Sequence, residues 1–260
     1  MGRVFLVESL TGKRGRLMER RIYIRDMWKT RGDNTRRVEI EIPTFEVFPA
    51  SFTVIVGANG SGKSTFLDIL GLLLSADSVG QFTLDMGDEI KLHTLKRREK
   101  TRIRRNFISY VLQTGGLLEF LTIRENIRFA ARLRKKSLSG IDRLAGQLGI
   151  ADILDKRPGK VSGGQRQKAA IARALVQEAP IILADEPSSA LDTESAKELM
   201  ATFKDLACEK KASLIMVTHD QDLAQESADS IYRFRTEKIQ GGARSTLDHN
   251  SDSSEEEKTF

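Results

Sequence analysis

Hydrophobic positions along the chain fall into short runs separated by polar turns. Val38, Ile40 and Ile42 alternate with Glu39 and Glu41 until Pro43 interrupts, so residues 38–56 read as extended. Within that stretch, 52–56 is a β-branched run of the kind buried inside a sheet. A glycine-rich turn follows, then an apolar, helix-like segment over 64–74. Residues 107–112, 181–184 and 214–217 are further short strand candidates. Residues 122–136 predict a helix, with Ile123, Ile127, Ala130 and Leu133 or Arg134 at helical spacing. Residues 165–178 predict another. Residues 194–211 predict a strongly amphipathic one, with Ala196, Leu199, Met200, Phe203, Leu206 and Ala207 on one face. Strands alternating with helices predict an α/β fold, a parallel sheet with helices on its faces. From Gly241 onward Ser, Asp, Glu and Gly dominate, which predicts a disordered acidic tail over 241–260.

The turn after 52–56 carries the first candidate chemistry. Gly57, Ala58, Asn59, Gly60, Ser61, Gly62, Lys63 and Ser64 fit G-x-x-x-x-G-K-[ST] between a predicted strand and a predicted helix. Glycines let the backbone wrap an anion with its N–H groups pointing inward. The helix start, Ser64 and Thr65 included, adds free N–H groups and the positive end of a dipole. Lys63 adds a cation for the β- and γ-phosphates, and the Ser64 hydroxyl is placed for Mg²⁺. Four apolar residues, 181–184, then deliver Asp185 and Glu186 at a strand's carboxyl end, the edge where open α/β sheets bind ligands. Asp185 is the candidate Mg²⁺ holder and Glu186 the candidate that polarises the attacking water.

Further motifs narrow the class. Val161, Ser162, Gly163, Gly164 and Gln165 precede a helical segment and are soon followed by Asp185-Glu186. This resembles the signature motif of ABC-type ATPases, although Val161 departs from the usual Leu. Gln113 resembles the family's Q-loop glutamine, 189–192 its D-loop and His219 its switch histidine. The resemblance covers roughly residues 20–238. It implies a P-loop NTPase with a RecA-like core, an antiparallel β subdomain and a helical subdomain. It places an N-terminal basic lead over 1–20, the ATPase domain over 21–240 and the helical subdomain at about 114–160. It further implies ATP and Mg²⁺ as ligands, with Ser64, Gln113 and Asp185 around the metal. Glu186, His219 and Gln113 would be the hydrolytic residues.

In that family two domains pair head to tail, each ATP lying between one P-loop and the other's signature. Ser162, Gly163, Gly164 and Gln165 would therefore serve the partner's nucleotide. With every motif intact the resemblance points to a homodimer, a heterodimer being the alternative. An aromatic before the P-loop usually stacks on adenine. The register puts Arg31 there, with Tyr23 and Trp28 nearby, and Trp28 is the candidate platform. Residues 114–126 resemble the coupling region that receives a permease helix, with Leu117, Leu118, Phe120 and Leu121 as apolar contacts. This stretch looks most like the ATPases of macrolide-, lipoprotein- and glycolipid-export systems. The alternative is a soluble or scaffold ABC ATPase, in cell division or on nucleic acid. A single motif set and 122 positions between Lys63 and Asp185 argue against tandem translation factors and long-coil chromosome proteins.

Composition adds limits. The 260 residues are 40% apolar and 30% charged, ordinary for a globular domain. No run approaches the ~18 apolar residues of a membrane span, so any transport pathway belongs to a separate permease subunit. The apolar patch at 4–7 is too short for a signal peptide. Leu6 stands where a myristoylation site wants Ser or Thr. A single cysteine, Cys208, excludes a disulfide framework. The expected place is the cytoplasm, peripheral on the inner face of the membrane. The net charge of +6 comes from two windows, 11–37 and 91–105, each carrying a net of +7. An anionic membrane surface is a candidate partner. Nucleic acid is disfavoured, because no aromatic interleaves 91–105 to stack on bases.

Overall fold

The computed structural model describes residues 20–32 and 37–249. The expectations placed on 1–19 and 250–260 lie outside the described residues. The short apolar runs become a parallel core: β3 (Phe52–Val56), β6 (Ile108–Val111), β7 (Ile181–Asp185) and β8 (Ser213–Thr218), in the spatial order β3-β8-β7-β6. These runs are continuous because both faces are covered. Val54, Val56, Ile182, Ala184, Leu214 and Met216 point to one side. That side packs on α3 (Ile123–Leu133), α4 (Ile141–Gln147), α5 (Gly163–Leu175), α6 (Thr193–Glu209) and α7 (Gln221–Ser227). Ile55, Ile181, Leu183, Ile215 and Val217 point to the other side, under α1 (Lys63–Leu70) and α2 (Arg97–Phe107).

The remaining strands extend the sheet to ten. β1 (Ile22–Arg31), β2 (Arg37–Val47), β4 (Ser78–Asp85) and β5 (Glu89–Lys91) each run antiparallel to the next in the order β5-β4-β1-β2, as the resemblance implies. β2 runs through Pro43, which the sequence reading took as a break. Pro43 costs no ladder bond there: pairing with the next strand stops at Glu41, and on the other side β1 kinks at Asp26 (φ 54°).

The end of the chain corrects the expectation of a disordered tail. Gly242–His249 forms β10, which follows β9 (Ser230–Ile239) in a hairpin and also pairs in parallel with β2. Ser245 and Leu247 are buried, and Arg244 binds the carboxylate of Glu39 at 2.9 Å. The order β5-β4-β1-β2-β10-β9-β3-β8-β7-β6 makes β10 the hydrogen-bonded link between the antiparallel half and the parallel core.

Candidate functional site

Because β3, β6, β7 and β8 are parallel, their carboxyl ends open on one edge of the sheet. That edge receives the P-loop after Val56, Gln113 after β6, Asp185 and Glu186 at the end of β7, and His219 after β8. The sequence separates these residues widely; strand order brings them together.

The loop from Gly57 to Ser64 is a cradle packed tightly against the fold at Gly57 and Gly62. A side chain on Gly57 would meet Ser61 Oγ at 2.8 Å and Phe234 Cβ at 2.9 Å. Gly62 has φ +100°, and a Cβ there would lie 2.5 Å from Ile40 Cδ1. Only glycine satisfies both demands at Gly62. Gly60 also has positive φ, while Ala58, Asn59 and Gly60 are exposed at the loop's rim. Lys63 folds back over the loop, its ammonium donating to the carbonyls of Gly57 (2.8 Å) and Ala58 (3.0 Å). Burial pushes the Lys63 pKa down, against the opposing pull of Glu186 and Asp185. The Ser61 hydroxyl is buried and finds no partner among the described residues. Amide donors at a helix start, an ammonium and an orphaned hydroxyl suit a polyphosphate.

Next to the cradle, Ser64 Oγ donates to Asp185 Oδ1 at 3.1 Å. Burial raises the Asp185 pKa; the Ser64 hydrogen bond opposes that, while Glu186 and Asp68 add to it. A hydroxyl beside a carboxylate is an oxygen-only donor set, which fits Mg²⁺. Behind them stands a pair the sequence reading missed: Tyr110 donates to Asp68 Oδ1 at 3.3 Å. Burial, with Asp68 and Asp185 close by, raises the Tyr110 pKa, so this phenol stays a donor. Asp68 lies four residues after Ser64, one helical turn along α1, and that spacing was the available signal.

Glu186 occupies the left-handed region (φ 44°), uncommon for a non-glycine residue, with its N–H held by the Val217 carbonyl at 3.0 Å. Its Oε2 accepts from Gln113 Nε2 at 3.2 Å and faces His219 Nδ1 at 3.3 Å. Its side chain is 15% exposed against 58% for His219. His219 is set in place by the residues around it: Thr218 Oγ1 accepts from the Asp220 N–H, and Asp220 caps α7 through the Leu223 N–H. Glu186, Ser189, Leu191, Thr218 and His219 line an open cleft of about 130 Å³. The three expected hydrolytic residues therefore share one carboxylate oxygen. Gln113 bonds to Glu186, whereas the hydroxyl on Asp185 comes from Ser64.

The signature residues stand elsewhere. Ser162 Oγ accepts from the Gln165 N–H (3.2 Å) and Gln165 Oε1 accepts from the Ser162 N–H (3.1 Å), a reciprocal cap opening α5. A Cβ on Gly163 would touch Ala190 Cβ at 3.3 Å, and one on Gly164 would meet Leu191 Cδ2 at 2.4 Å. The signature thus packs against the 189–192 segment, whose Asp192 caps α6. Lys63 and Ser64 make their hydrogen bonds with Gly57, Ala58 and Asp185 instead.

Trp28 is not an adenine platform. On β2, Ile40 points at the P-loop glycine Gly62, so Glu39 and Glu41 point to the opposite face. Trp28 stands directly across from Glu41 and shares that far face, under the Arg244 guanidinium at 5.3 Å. Tyr23, across from Glu46, is covered by Arg20 at 4.6 Å. On the P-loop face β1 carries Met27, across from Ile42, then Lys29, across from Ile40 and bound to Asp77 at 2.6 Å, and Arg31, across from Val38.

A parallel α/β core with a phosphate cradle and two acids on one edge defines a P-loop nucleotide-binding protein. Residues 40–189 match the ABC transporter family. The chain belongs to that family, as an ATP-binding, ATP-hydrolysing cassette whose ligands are ATP and Mg²⁺. It is 39% identical over 181 residues to the ABC transporter ATP-binding protein YxdL of Bacillus subtilis, covering 68% of this chain and 69% of that one. It is 34% identical over 213 residues to the macrolide export ATP-binding/permease protein MacB of Marinobacter nauticus, covering 78% of this chain and 32% of MacB. Among solved structures, the dimeric cassette MJ0796, in a post-hydrolysis state bound to ADP and Pi, superposes with a TM-score of 0.70. It shares 29% identity and covers 88% of this chain and 98% of that one.

Proposed function

We propose that this cassette pairs head to tail with a second copy across ATP and drives a separate membrane permease, in export or mechanotransmission. The observation that carries the reading is the shared Glu186 oxygen between Gln113 and His219, on the same edge as the P-loop. Lys63 and the loop amides hold the phosphates and stabilise the charge that develops on them. Ser64 and Asp185 hold Mg²⁺, which neutralises phosphate charge when bound. Glu186 takes up a proton from the attacking water and Gln113 keeps the carboxylate aimed. His219 positions the terminal phosphate. Ser162, Gly163, Gly164 and Gln165 bind the nucleotide held by the other copy. MacB, 34% identical over 213 residues, is named as an ATP-binding/permease protein, which supports a permease as what the cassette drives. Among the described residues no helix is long and apolar enough to cross a membrane, which fits a peripheral subunit on the cytoplasmic face.

The permease contact falls on the segment after Gln113. Buried Asn126 pins that segment, accepting from the Leu118 N–H at 2.7 Å and donating to the Leu118 and Thr122 carbonyls at 3.1 and 2.9 Å. Leu117 fills the core, Leu118 and Leu121 are half-buried, and Phe120 is left 71% exposed. The chain divides into the basic lead, the ATPase domain with its helical part at about 114–160, and the end segment. The test is co-purification of the tagged cassette with a multi-span permease. Phe120→Glu should abolish that association and leave the ATPase rate of the isolated cassette unchanged. Salt-sensitive nucleic-acid binding with no membrane partner would overturn the reading.

A further inference from the structure

α2 carries six cations, Arg97, Arg98, Lys100, Arg102, Arg104 and Arg105, against one acid, Glu99. Glu99 caps its own helix through the Lys96 N–H. Among the described residues none of the six forms an ion pair. Beyond the end of α2, Arg105, Arg134, Lys135 and Lys136 line an open cleft of about 280 Å³ with a single carboxylate, Glu178. Lys136 already occupies Glu178 at 2.8 Å, and Arg134 donates to the carbonyls of Arg104, Asn106 and Ile108. Arg105 and Lys135 are therefore exposed cations with no acid of their own among the described residues.

The topology indicates what can reach them. The cleft sits where α2 enters β6, at the amino-terminal edge of the parallel strands, opposite the nucleotide edge. β10 runs antiparallel to β9, so its last residue, His249, arrives at that same amino-terminal edge, bonded to Ser230 Oγ at 3.0 Å. Ser230 is in register with Thr53, Phe52 with Leu214, and Ile181 with Ser213 and Ile108. Between His249 and the cleft lie five strand steps, about 24 Å at ~4.8 Å each. Lys210 and Lys211 stand on that route before β8, with Lys210 3.9 Å from Glu178. The next residues of the sequence, 250–260, hold Asp252, Glu255, Glu256 and Glu257 against one cation, Lys258. Eight extended residues from Asn250 through Glu257 reach about 26–29 Å.

We propose that Glu255, Glu256 and Glu257 dock in the cleft against Arg105 and Lys135, the segment lying along the amino-terminal edge past Lys211. Docking straps the sheet edge and fixes the end of α3 to the end of α2.

The test uses the full chain with Cys208→Ser, Asn106→Cys and Thr259→Cys, joined by a short bismaleimide. The two new cysteines replace neutral side chains, so the charges under test stay in place. An intramolecular cross-link is expected at ~0.1 M salt, where charges act over ~10 Å, falling several-fold at ~1 M, where they act over ~3 Å. Arg105→Glu with Lys135→Glu should reduce it as much. Adding Glu255→Lys, Glu256→Lys and Glu257→Lys to that pair should restore it. A yield indifferent to salt and to these substitutions overturns the proposal. So does a link between two chains that rises with concentration, which assigns the cleft to a second copy. Equal binding of the cleft to phosphatidylglycerol vesicles with and without residues 250–260 assigns it to a lipid surface instead.

Discussion

Gln113 Nε2 donates to Glu186 Oε2 at 3.2 Å across 73 positions of chain. The bond exists because β6 and β7 are neighbours in the sheet, so the residue just past one strand faces the acid just past the other. It holds one carboxylate oxygen on the side from which His219 also approaches, at 3.3 Å. Three consequences for the nucleotide site can be measured, and a fourth concerns the last strand.

Glu186→Gln keeps the size of the side chain and removes the proton acceptor. Turnover should fall by roughly 10²–10⁴, the usual worth of a positioned general base, while ATP binding persists. The variant should accumulate as an ATP-bound dimer on size-exclusion chromatography. Wild-type turnover in this variant would remove Glu186 from its assigned role.

Asp185 gives a pH signature. Burial raises its pKa, so as pH falls its carboxyl takes up a proton earlier than an ordinary aspartate does. Mg²⁺ needs the charged form. Metal affinity should therefore weaken, as pH falls, at a higher pH than an ordinary aspartate would give. Titrating Mg²⁺-dependent nucleotide binding across pH in wild type and Asp185→Asn checks this: the substitution should weaken binding throughout and flatten its dependence on pH.

Gly164→Ala places a methyl 2.4 Å from Leu191 Cδ2. Leu191 must rotate or α5 must shift, at a cost of ~1–3 kcal/mol. The effect should appear in ATPase activity more than in thermal stability, because Leu191 also lines the Glu186 cleft. Adding Leu191→Ala should restore activity. An inactive double variant would mean that Gly164 matters for some other reason than this contact.

Leu247 is 1% exposed in β10. Leu247→Ala should cost about 2–5 kcal/mol, as buried leucines do, read as a lower midpoint in thermal or urea unfolding. A disordered tail would show no change.

How much of this was legible depended on how each element is buried. β3, β7 and β8 are covered on both faces and read as plain apolar runs, while α6 shows its one buried face as a periodic stripe. β1 was not recognised, because the kink at Asp26 shifts the alternation of its inward residues. β10 was mistaken for tail, because it is held mainly by backbone pairing and buries only Ser245 and Leu247. In the site, the P-loop was readable as one local motif. The meeting of Gln113, Glu186 and His219 depends on strand order, and their roles were inferred by resemblance. The Tyr110–Asp68 pair carries no motif, and the orientation of Trp28 depends on strand register.

β10 also sets when the molecule can be completed during synthesis. It pairs Ser245 with Ile40, and without it β2 and β9 each present an unpaired edge. The antiparallel half can already pack its buried side chains on α1 and β3, yet its hydrogen-bonded ladder to the parallel core closes only when residues 242–249 have left the ribosome. Once β9 is made and before β10 follows it, the nascent chain holds two open sheet borders, so its exposure to aggregation falls as residues 242–249 pair with both.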